Sequence, residues 1–380
     1  MQNFSLNIKT RIYFGTNITG DALAKEADNI SGNIMIVTTG RSLERYGYVK
    51  QLSMLLESNS RVEKVNVYDN ISNNPKLTEV KDAIKIGKQN RVDMIVGFGG
   101  GSAIDAAKAV AIGISTDNNI EKYLFEGMTP GEETLPIIAI PTTAGTGSEL
   151  SKGAIISSVE DKIKTGIRGE NILPEIAIVD AYYTHTVPEK ISMETGFDVL
   201  AHAVESYVSV KSNIFSEMLS EKAIEIVTEC LPEIKADPTN VQAREKICYA
   251  SMIMGLNLAN VGTCLPHRIQ YSIGAVTDTS HAAGLIALYP SWLSHEYKVN
   301  ADKVNRILQL MGLEYVDNEN KAMEEFQGFM RSLNLNYNLS GLGITKNELQ
   351  MLSEKVTGNI RNDKLADEKD IIYTILEESI

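Results

Sequence analysis

The first half of the chain alternates short apolar runs with amphipathic stretches at helical spacing. The apolar runs, which we interpret as buried strands, are residues 34–37, 65–68, 92–96 and 136–140. The stretches with helical spacing are residues 43–58, 80–89 and 103–112. Because strands and helices in alternation bury a parallel sheet under helices on both faces, this order predicts an α/β domain.

The pattern changes after about residue 188. Strand-like runs almost vanish, and long apolar periodicities at helical spacing take over, as in residues 193–208 and 223–230. A chain of 380 residues is also too long for one average domain. We therefore predict two domains, an α/β domain with a parallel sheet over residues 1–185 and an all-helical domain over residues 186–380.

Charge, cysteine content and hydropathy argue against several classes of function and location. The net charge of −13 argues against a nucleic-acid partner, which needs a basic surface. The three cysteines, Cys230, Cys248 and Cys264, form no closely spaced pair, so we expect a reducing, cytoplasmic setting. No apolar run is long enough to span a bilayer, and we expect neither a membrane partner nor a secretory signal.

A glycine-rich turn, residues 97–102, follows the third strand and opens a helix. Glycines let a backbone approach a bound group closely, and a helix N-terminus offers N–H groups to a phosphate, so a dinucleotide is the natural ligand. The alternative is a tight turn without a ligand, since the motif does not follow the first strand as a Rossmann fingerprint does. A second polar turn, residues 141–149, would lie at the same sheet edge, although it could satisfy only its own backbone.

Asp198 and His202 lie four residues apart among small and apolar neighbours. On a helix this spacing puts both side chains on one buried face, where a carboxylate needs a partner such as a cation. With His267 and His281 downstream, one carboxylate and three imidazoles would form a site for Fe²⁺ or Zn²⁺ with a position left for substrate. The alternative is a structural Asp–His pair that binds no metal.

Taken together, these segments resemble the iron-containing alcohol dehydrogenase family. Residues 99–108 resemble its GGGSxxDxAK signature, residues 141–149 match its PTTAGTGSE stretch, and residues 195–203 resemble its TGxDALxHA element. His267 and His281 are fourteen residues apart, as are the other two metal ligands of the family. The resemblance implies a dinucleotide domain, a helical metal-binding domain, a cleft between them and a homodimer.

The resemblance also implies which residues bind each ligand. The implied metal ligands are Asp198, His202, His267 and His281, with Fe²⁺ expected and Zn²⁺ as the alternative. The residues expected at the cofactor lie in turns and strands of the first domain and are Gly40, Arg41, Ser42, Asn74, Gly100, Gly101, Ser102, Thr142, Thr143, Ser151 and Lys164.

We therefore expect an NAD(P)-dependent dehydrogenase of small alcohols or reductase of aldehydes. The metal would act as a Lewis acid on the substrate oxygen while a hydride passes between the substrate carbon and the nicotinamide. Two alternatives stay open. Glycerol dehydrogenases and dehydroquinate synthases are similar in fold but use three protein ligands, and a former enzyme could persist as a non-catalytic nucleotide-binding protein.

Gly40 bears on the choice of cofactor. NAD-preferring members of the family often have an aspartate there, whose carboxylate accepts from the ribose 2′-hydroxyl and repels a 2′-phosphate. Because glycine removes this repulsion and Arg41 or Ser42 could contact the phosphate, we expect NADP(H) to be favoured over NAD(H). In the alternative, Gly40 is only a turn residue.

Tyr271 stands where many family members have a histidine, one helical turn after His267. We expect Tyr271 to border the metal and the nicotinamide and to alter the substrate pocket, with simple core packing as the alternative. Arg268 could hold an anionic substrate group if it faced the same pocket, although a surface arginine beside a buried ligand is commoner.

Overall fold

The computed structural model of the chain describes residues 3–315 and 318–380. These residues form two compact units, one of residues 7–186 and the other of residues 3–6 together with 187–380. Each unit is built from a different kind of secondary structure.

The first unit is an α/β domain. Its strands in the described residues are β1 (Arg11–Gly15), β2 (Gly32–Thr38), β3 (Val62–Tyr68), β4 (Met94–Gly99), β5 (Ile137–Pro141), β6 (Gly153–Ser158), β7 (Ile163–Arg168) and β8 (Ile176–Asp180). Its α-helices are α1 (Thr19–Lys25), α2 (Arg41–Arg45), α3 (Tyr48–Glu57), α4 (Leu77–Gln89), α5 (Gly101–Ser115) and α6 (Ile120–Phe125). Strands β6 and β7 form an antiparallel pair, and the other strands form one parallel sheet.

Alternation along the strands explains why both faces of this sheet are covered. Ile34 and Ile36 of β2 belong to one apolar core, which includes residues of α1 and α3. Met35 and Val37 belong to the opposite core, which includes residues of α4 and α5. Successive side chains of a strand point to opposite faces, so a continuous apolar run predicts a sheet covered on both sides. The predicted α/β class is confirmed.

The strand order places a crevice at one point of the sheet. The order is β1-β8-β5-β4-β2-β3, so that β2 pairs with β3 on one side and with β4 on the other. The order of the sheet therefore reverses between β2 and β4. In open α/β sheets, ligands bind at the carboxyl ends of the strands at such a reversal.

The structure also differs from the sequence interpretation in the division of one helix and in strands that were not predicted, which include β1, β8, β6 and β7. Residues 43–58, predicted as one helical stretch, belong to two helices, α2 and α3, which are interrupted at Tyr46 and Gly47. The antiparallel pair β6–β7 was not predicted, because its strands mix serine, threonine and lysine with isoleucine and lack a long apolar run.

The described residues of the second unit form helices joined by loops, with no strand among them. Its α-helices are α7 (Glu189–Val208), α8 (Ile214–Ala236), α9 (Val241–Asn260), α10 (Leu265–Thr277), α11 (His281–Leu310), α12 (Glu319–Ser332), α13 (Leu349–Glu354) and α14 (Ile371–Glu378). Helix α7 is buried around its whole circumference from Gly196 to Val208 and packs against α8, α9 and α11. A helix that is buried on every side is expected at the centre of a bundle.

Two residues near the end of the chain fix the beginning of α10. The side-chain amide of Asn362 donates to the carbonyl oxygens of Val261 and Thr263, both at 3.2 Å. The carboxylate of Asp363 accepts from the backbone N–H of Leu265 at 3.0 Å and from the indole N–H of Trp292 at 2.9 Å. Unpaired N–H groups at a helix start need such acceptors, so this segment completes the cap of α10.

In the described part of the chain, no single helix is both long and apolar enough to cross a membrane. Helices α9 and α10 meet that requirement only as a pair, with a bend of 96° between them.

Candidate active site

The four predicted metal ligands lie together in the helical unit. Asp198 and His202 are on α7, His267 is in the first turn of α10, and His281 is the first residue of α11. Oδ1 of Asp198 lies 3.8 Å from Nε2 of His202, 3.4 Å from Nε2 of His267 and 3.6 Å from Nε2 of His281. One carboxylate oxygen thus faces three imidazole nitrogens.

The four residues are not equivalent. The ligand atoms of Asp198, His267 and His281 all lie within 4.8 Å of one another, and His202 is not part of this group. The ring of His202 instead stacks on that of His267, with centroids 4.5 Å apart.

The donor atoms suit a divalent metal. Within the described ranges, Oδ1 of Asp198 and Nε2 of His267 are buried and have no hydrogen-bond partner. A buried polar atom without a hydrogen-bond partner or bound ion destabilises the folded protein. A carboxylate oxygen together with imidazole nitrogens is a set that binds Fe²⁺ or Zn²⁺, so the residues present fit the metal that the sequence predicts.

Charge interactions inside the cluster shift the pKa values of Asp198 and His267. Burial opposes ionisation of Asp198, but the neighbouring charges of His202, His281 and His267 hold the pKa of its carboxyl well below its usual range. Burial would lower the pKa of His267, but the charge of Glu205, the hydrogen bond to Glu205 and the charge of Asp198 raise it to about 10. The cluster is therefore built around a carboxylate that stays ionised.

Two residues that the sequence interpretation missed orient the histidines. Oε1 of Glu205 lies 2.6 Å from Nδ1 of His267, and Oε1 of Gln270 lies 2.5 Å from Nδ1 of His281. An acceptor at Nδ1 fixes the tautomer and leaves Nε2 for a metal. Glu205 could have been found from the sequence, because Asp198, His202 and Glu205 are spaced as one face of a helix.

The two polar turns of the first unit lie against each other. A β-carbon at Gly100 would be 3.1 Å from Oγ1 of Thr143, and one at Gly101 would be 2.6 Å from Oγ1 of Thr146. The backbone N–H of Thr142 donates to the carbonyl of Gly99 at 2.9 Å. Glycine at position 101 is needed because the threonine turn approaches so closely.

Other predicted cofactor residues lie beside these turns. The hydroxyl of Ser102 donates to the carbonyl of Asn73, and the ammonium of Lys164 donates to Oδ1 of Asn74 at 2.8 Å. Lys164 and Asn74 are both buried. The carboxyl ends of β4 and β5, the start of α5 and the β6–β7 pair therefore bring the glycine turn, the threonine turn, Asn74 and Lys164 into one region.

Ser151 has a structural partner. The buried ammonium of Lys108 donates to the hydroxyl of Ser151 at 3.1 Å and to the carbonyl of Ser148 at 2.7 Å. Asp105 accepts from the hydroxyl of Ser148 and from the backbone N–H of Ile155 at 2.9 Å. The aspartate and lysine of the glycine signature thus attach the threonine turn and β6 to α5.

Gly40 lies directly against Asp69, the residue that follows β3. The φ angle of Gly40 is +74°, and a β-carbon there would be 2.4 Å from the carbonyl oxygen of Asp69 and 3.3 Å from its β-carbon. Arg41 and Ser42 are exposed at the start of α2. The acidic residue Asp69 therefore lies next to Gly40, the position where the sequence analysis noted that the aspartate of NAD-preferring family members is replaced by glycine.

Tyr271 lies beside the histidine cluster. Its ring stacks on that of His281, with centroids 6.0 Å apart and an interplanar angle of 26°. The guanidinium carbon of Arg268 lies 5.3 Å from the centre of the same ring. Tyr271 therefore borders the cluster from α10, and Arg268 lies against Tyr271.

Comparisons with known proteins agree with this geometry. Residues 9–181 match the model of iron-containing alcohol dehydrogenases, and residues 192–380 match the model of the C-terminal part of the same family. The chain belongs to the iron-containing alcohol dehydrogenase family. As a member of this family, it is a metal-dependent oxidoreductase that transfers a hydride between a nicotinamide cofactor and a small alcohol or aldehyde. Enzymes of the family use NAD(H) and iron.

Relatives of this alcohol dehydrogenase match along nearly its whole length. NADH-dependent butanol dehydrogenase A of Clostridium acetobutylicum is 28% identical over 380 aligned residues, which cover 94% of each chain. An archaeal halo-thermophilic alcohol dehydrogenase from a Red Sea brine pool superposes with a TM-score of 0.93 at 26% identity and covers 100% of both chains. Sulfoacetaldehyde reductase from Bifidobacterium kashiwanohense superposes with a TM-score of 0.86 at 27% identity, over 100% of this chain and 99% of that one.

Proposed function

We propose that Asp198, His202, His267 and His281 bind the metal of this dehydrogenase, with Fe²⁺ as the expected ion and Zn²⁺ as the alternative. The observation that carries the proposal is the convergence of three imidazole Nε2 atoms on Oδ1 of Asp198, at 3.4 to 3.8 Å. A metal bound there supplies Lewis-acid polarisation of the substrate oxygen.

The protein side of the reaction follows from the surroundings of the cluster. Glu205 and Gln270 hold the rings of His267 and His281 in one orientation through their Nδ1 atoms. The low exposure of Asp198 and His267, 1% each, keeps water away from the ligand atoms. Tyr271, stacked on His281, supports one side of the substrate position. A protein contributes to hydride transfer by holding the reacting groups in alignment and by excluding water from the site.

For the cofactor, the proposed contacts are the backbone of the glycine turn and the side chains around it. The start of α5 at Gly101 offers free N–H groups to the pyrophosphate. Gly100, Ser102, Thr142, Thr143, Asn74 and Lys164 are the proposed neighbours, and Ser151 contributes indirectly, through its bond to Lys108.

The test replaces individual ligands. Asp198→Ala and His281→Ala are expected to lose most bound metal and nearly all turnover while they keep cofactor affinity, measured by metal analysis and by titration with NADH. His295→Ala is the matched control, because His295 pairs with Glu378 at 3.0 Å outside the cluster. Wild-type metal content in either ligand variant would refute the proposed site.

A three-ligand site, as in glycerol dehydrogenases and dehydroquinate synthases, is the second candidate. It is favoured by one observation, the absence of His202 from the group formed by Asp198, His267 and His281. The variant His202→Ala distinguishes the two candidate sites, because a four-ligand site would lose its metal and a three-ligand site would retain it.

Three finer expectations belong to this proposal. We expect a cytoplasmic protein, in keeping with three buried free cysteines, and a homodimer, as the family resemblance implies. The preference for NADP(H) predicted from Gly40 stays a prediction. Against it stand the acidic residue Asp69, whose carbonyl oxygen and β-carbon lie against Gly40, and a relative that is named as NADH-dependent.

A further inference from the structure

The proposed metal ligands are not held equally firmly. The side chains of Asp198, His202 and His267 are 2 to 5% exposed, whereas that of His281 is 25% exposed. Asp198 and His202 lie within α7, and His267 lies in the capped first turn of α10. His281 is the first residue of α11 and follows three residues, 278–280, that belong to no helix. Helix ends open more easily than helix interiors, so His281 is the ligand that solvent reaches and that moves most easily.

The groups that orient the histidines differ in the same sense. Nδ1 of His267 lies 2.6 Å from a carboxylate oxygen of Glu205, whereas Nδ1 of His281 lies 2.5 Å from the neutral amide oxygen of Gln270. An ionised acceptor binds an imidazole N–H more strongly than a neutral one and makes the ring a stronger metal ligand. The buried ligand His267 therefore has the stronger support, and the exposed ligand His281 has the weaker.

Gln270 packs against the beginning of the helix that carries His281. Its side chain is buried, and Nε2 donates to the carbonyl oxygen of Ser280 at 3.5 Å. A β-carbon at Gly284, three residues after His281, would lie 2.9 Å from Cγ and 3.2 Å from Nε2 of Gln270. Glycine at position 284 therefore leaves the room that the Gln270 amide occupies beside His281.

We propose that His281 is the exchangeable ligand of this site, that its detachment limits release of the divalent metal, and that Gln270 sets this rate as a positioning residue. The metal enters and leaves on the side of His281, while Asp198 and His267 stay in place. A site that opens at one exposed ligand can be loaded in the folded protein, without local unfolding of α7 or α10. This inference rests on the proposed function of the cluster as a metal site.

The experiment measures how fast Co²⁺ enters and leaves the folded protein. Co²⁺ bound by imidazoles and a carboxylate absorbs visible light, so stopped-flow absorbance follows its uptake by the metal-free enzyme and its release to excess EDTA. Release rates are extrapolated to zero EDTA, so that attack by the chelator does not contribute to them.

The two acceptors are expected to control different rates. If His281 has already detached at the barrier to release, Gln270 supports it only in the bound state, so a change at Gln270 alters the release rate. His267 still holds the metal at that barrier. A change at Glu205 therefore weakens the bound state and the barrier state equally, and it alters the uptake rate instead.

Variants at the two acceptors give opposite expectations. Gln270→Leu should speed release by about tenfold and leave uptake within about twofold of the wild type, and Gln270→Glu should slow release by a similar factor. Glu205→Gln is the matched variant, and we expect it to slow uptake by about 10-fold or more and to leave release within about threefold. Faster release from Glu205→Gln than from Gln270→Leu would show that His267 detaches first and would overturn the inference.

Gly284→Ala tests Gln270 without changing either histidine or its acceptor. Alanine favours a helix more than glycine does, but its β-carbon must displace the side chain of Gln270. We expect release to be faster by about threefold to tenfold. In the double variant with Gln270→Ala, which removes the colliding Cγ, release should match that of Gln270→Ala alone. If release rates instead follow the loss of Tm across all variants, Gln270 is structural and the inference is overturned.

The outcomes separate this inference from the proposed function, because both rates are read from the Co²⁺ spectrum and need no turnover. If the wild type binds Co²⁺ and Asp198→Ala does not, but Gln270→Leu releases it at the wild-type rate, the inference fails and the proposed metal site stands. If the wild type and Asp198→Ala bind Co²⁺ equally, the proposed site fails and the inference fails with it.

Discussion

Oε1 of Glu205 lies 2.6 Å from Nδ1 of His267, and Oε2 of the same carboxylate accepts the backbone N–H of Cys264 at 2.7 Å. One buried side chain of α7 therefore holds both a proposed metal ligand and the residue that precedes α10. Because Glu205 is not itself within the ligand cluster, its effect on the metal can be tested apart from coordination.

We expect Glu205→Gln to weaken metal binding by about 10-fold to 100-fold, because the amide keeps the shape but loses the charge that makes the imidazole of His267 more basic. Affinity is measured by competition with a chelator, using Co²⁺ as a spectroscopic probe. Glu194→Gln is the control, since Glu194 is on the same helix and accepts from Tyr337 at 2.9 Å. Equal affinities of the two variants would contradict the prediction.

Metal binding should also release about one proton at pH 7. Burial lowers the pKa of His267, but Glu205 and Asp198 outweigh it and raise that pKa to about 10, so the metal-free protein holds a proton on this ring that a metal must displace. Calorimetry in buffers of different ionisation enthalpy counts the released protons. The apparent affinity for Zn²⁺ should rise by about tenfold per pH unit between pH 7 and 9. Affinity that is independent of pH in this range would show that the ring is already neutral.

Asp69 gives a prediction about cofactor choice. Its carbonyl oxygen and β-carbon lie against Gly40, where the ribose of a dinucleotide is expected, and the charge of its carboxylate should repel a 2′-phosphate. Asp69→Asn should therefore raise kcat/KM for NADPH relative to NADH by roughly tenfold, with the exposed Asp28→Asn as control. Gly40→Asp is a poor test, because its β-carbon would meet the carbonyl of Asp69 at 2.4 Å in a backbone with φ of +74°. No change in the cofactor ratio of Asp69→Asn would place the ribose elsewhere.

Glu149 should make stability depend on pH. Burial raises the pKa of its carboxyl from 4.5 to about 7, although the charge of Lys108 opposes this. The folded protein thus binds this proton more tightly than the unfolded chain does, and the resulting stability is full below pH 4.5 and lost as pH rises through 7. Glu149→Gln should raise the free energy of unfolding at pH 8.5 by about 2 to 3 kcal/mol and change it little below pH 4.5. Denaturant unfolding measured at pH 8.5 and below pH 4.5 tests this prediction, with Glu160→Gln at an exposed position as the control. An equal change in the free energy of unfolding at the two pH values would contradict it.

The sequence predicts the proposed metal ligands better than their surroundings, for a physical reason. Asp198 and His202 are four residues apart on one helix, so local geometry alone places them on one face. Tyr271 follows His267 by one helical turn and is likewise local. The approach of Asp69 to Gly40 depends on the parallel pairing of β2 with β3, which no local pattern specifies. The burial of Arg268 was also unpredicted, since helical spacing from His267 does not say what covers that face.

The contacts of Asn362 and Asp363 bear on what a truncated chain can do. All four proposed ligands lie at or before residue 281, yet the start of α10 that carries His267 is capped by the side chains of Asn362 and Asp363. A chain that stops before residue 362 would therefore contain every proposed ligand but would lack the cap that anchors the start of α10. Such a product is expected to bind metal poorly.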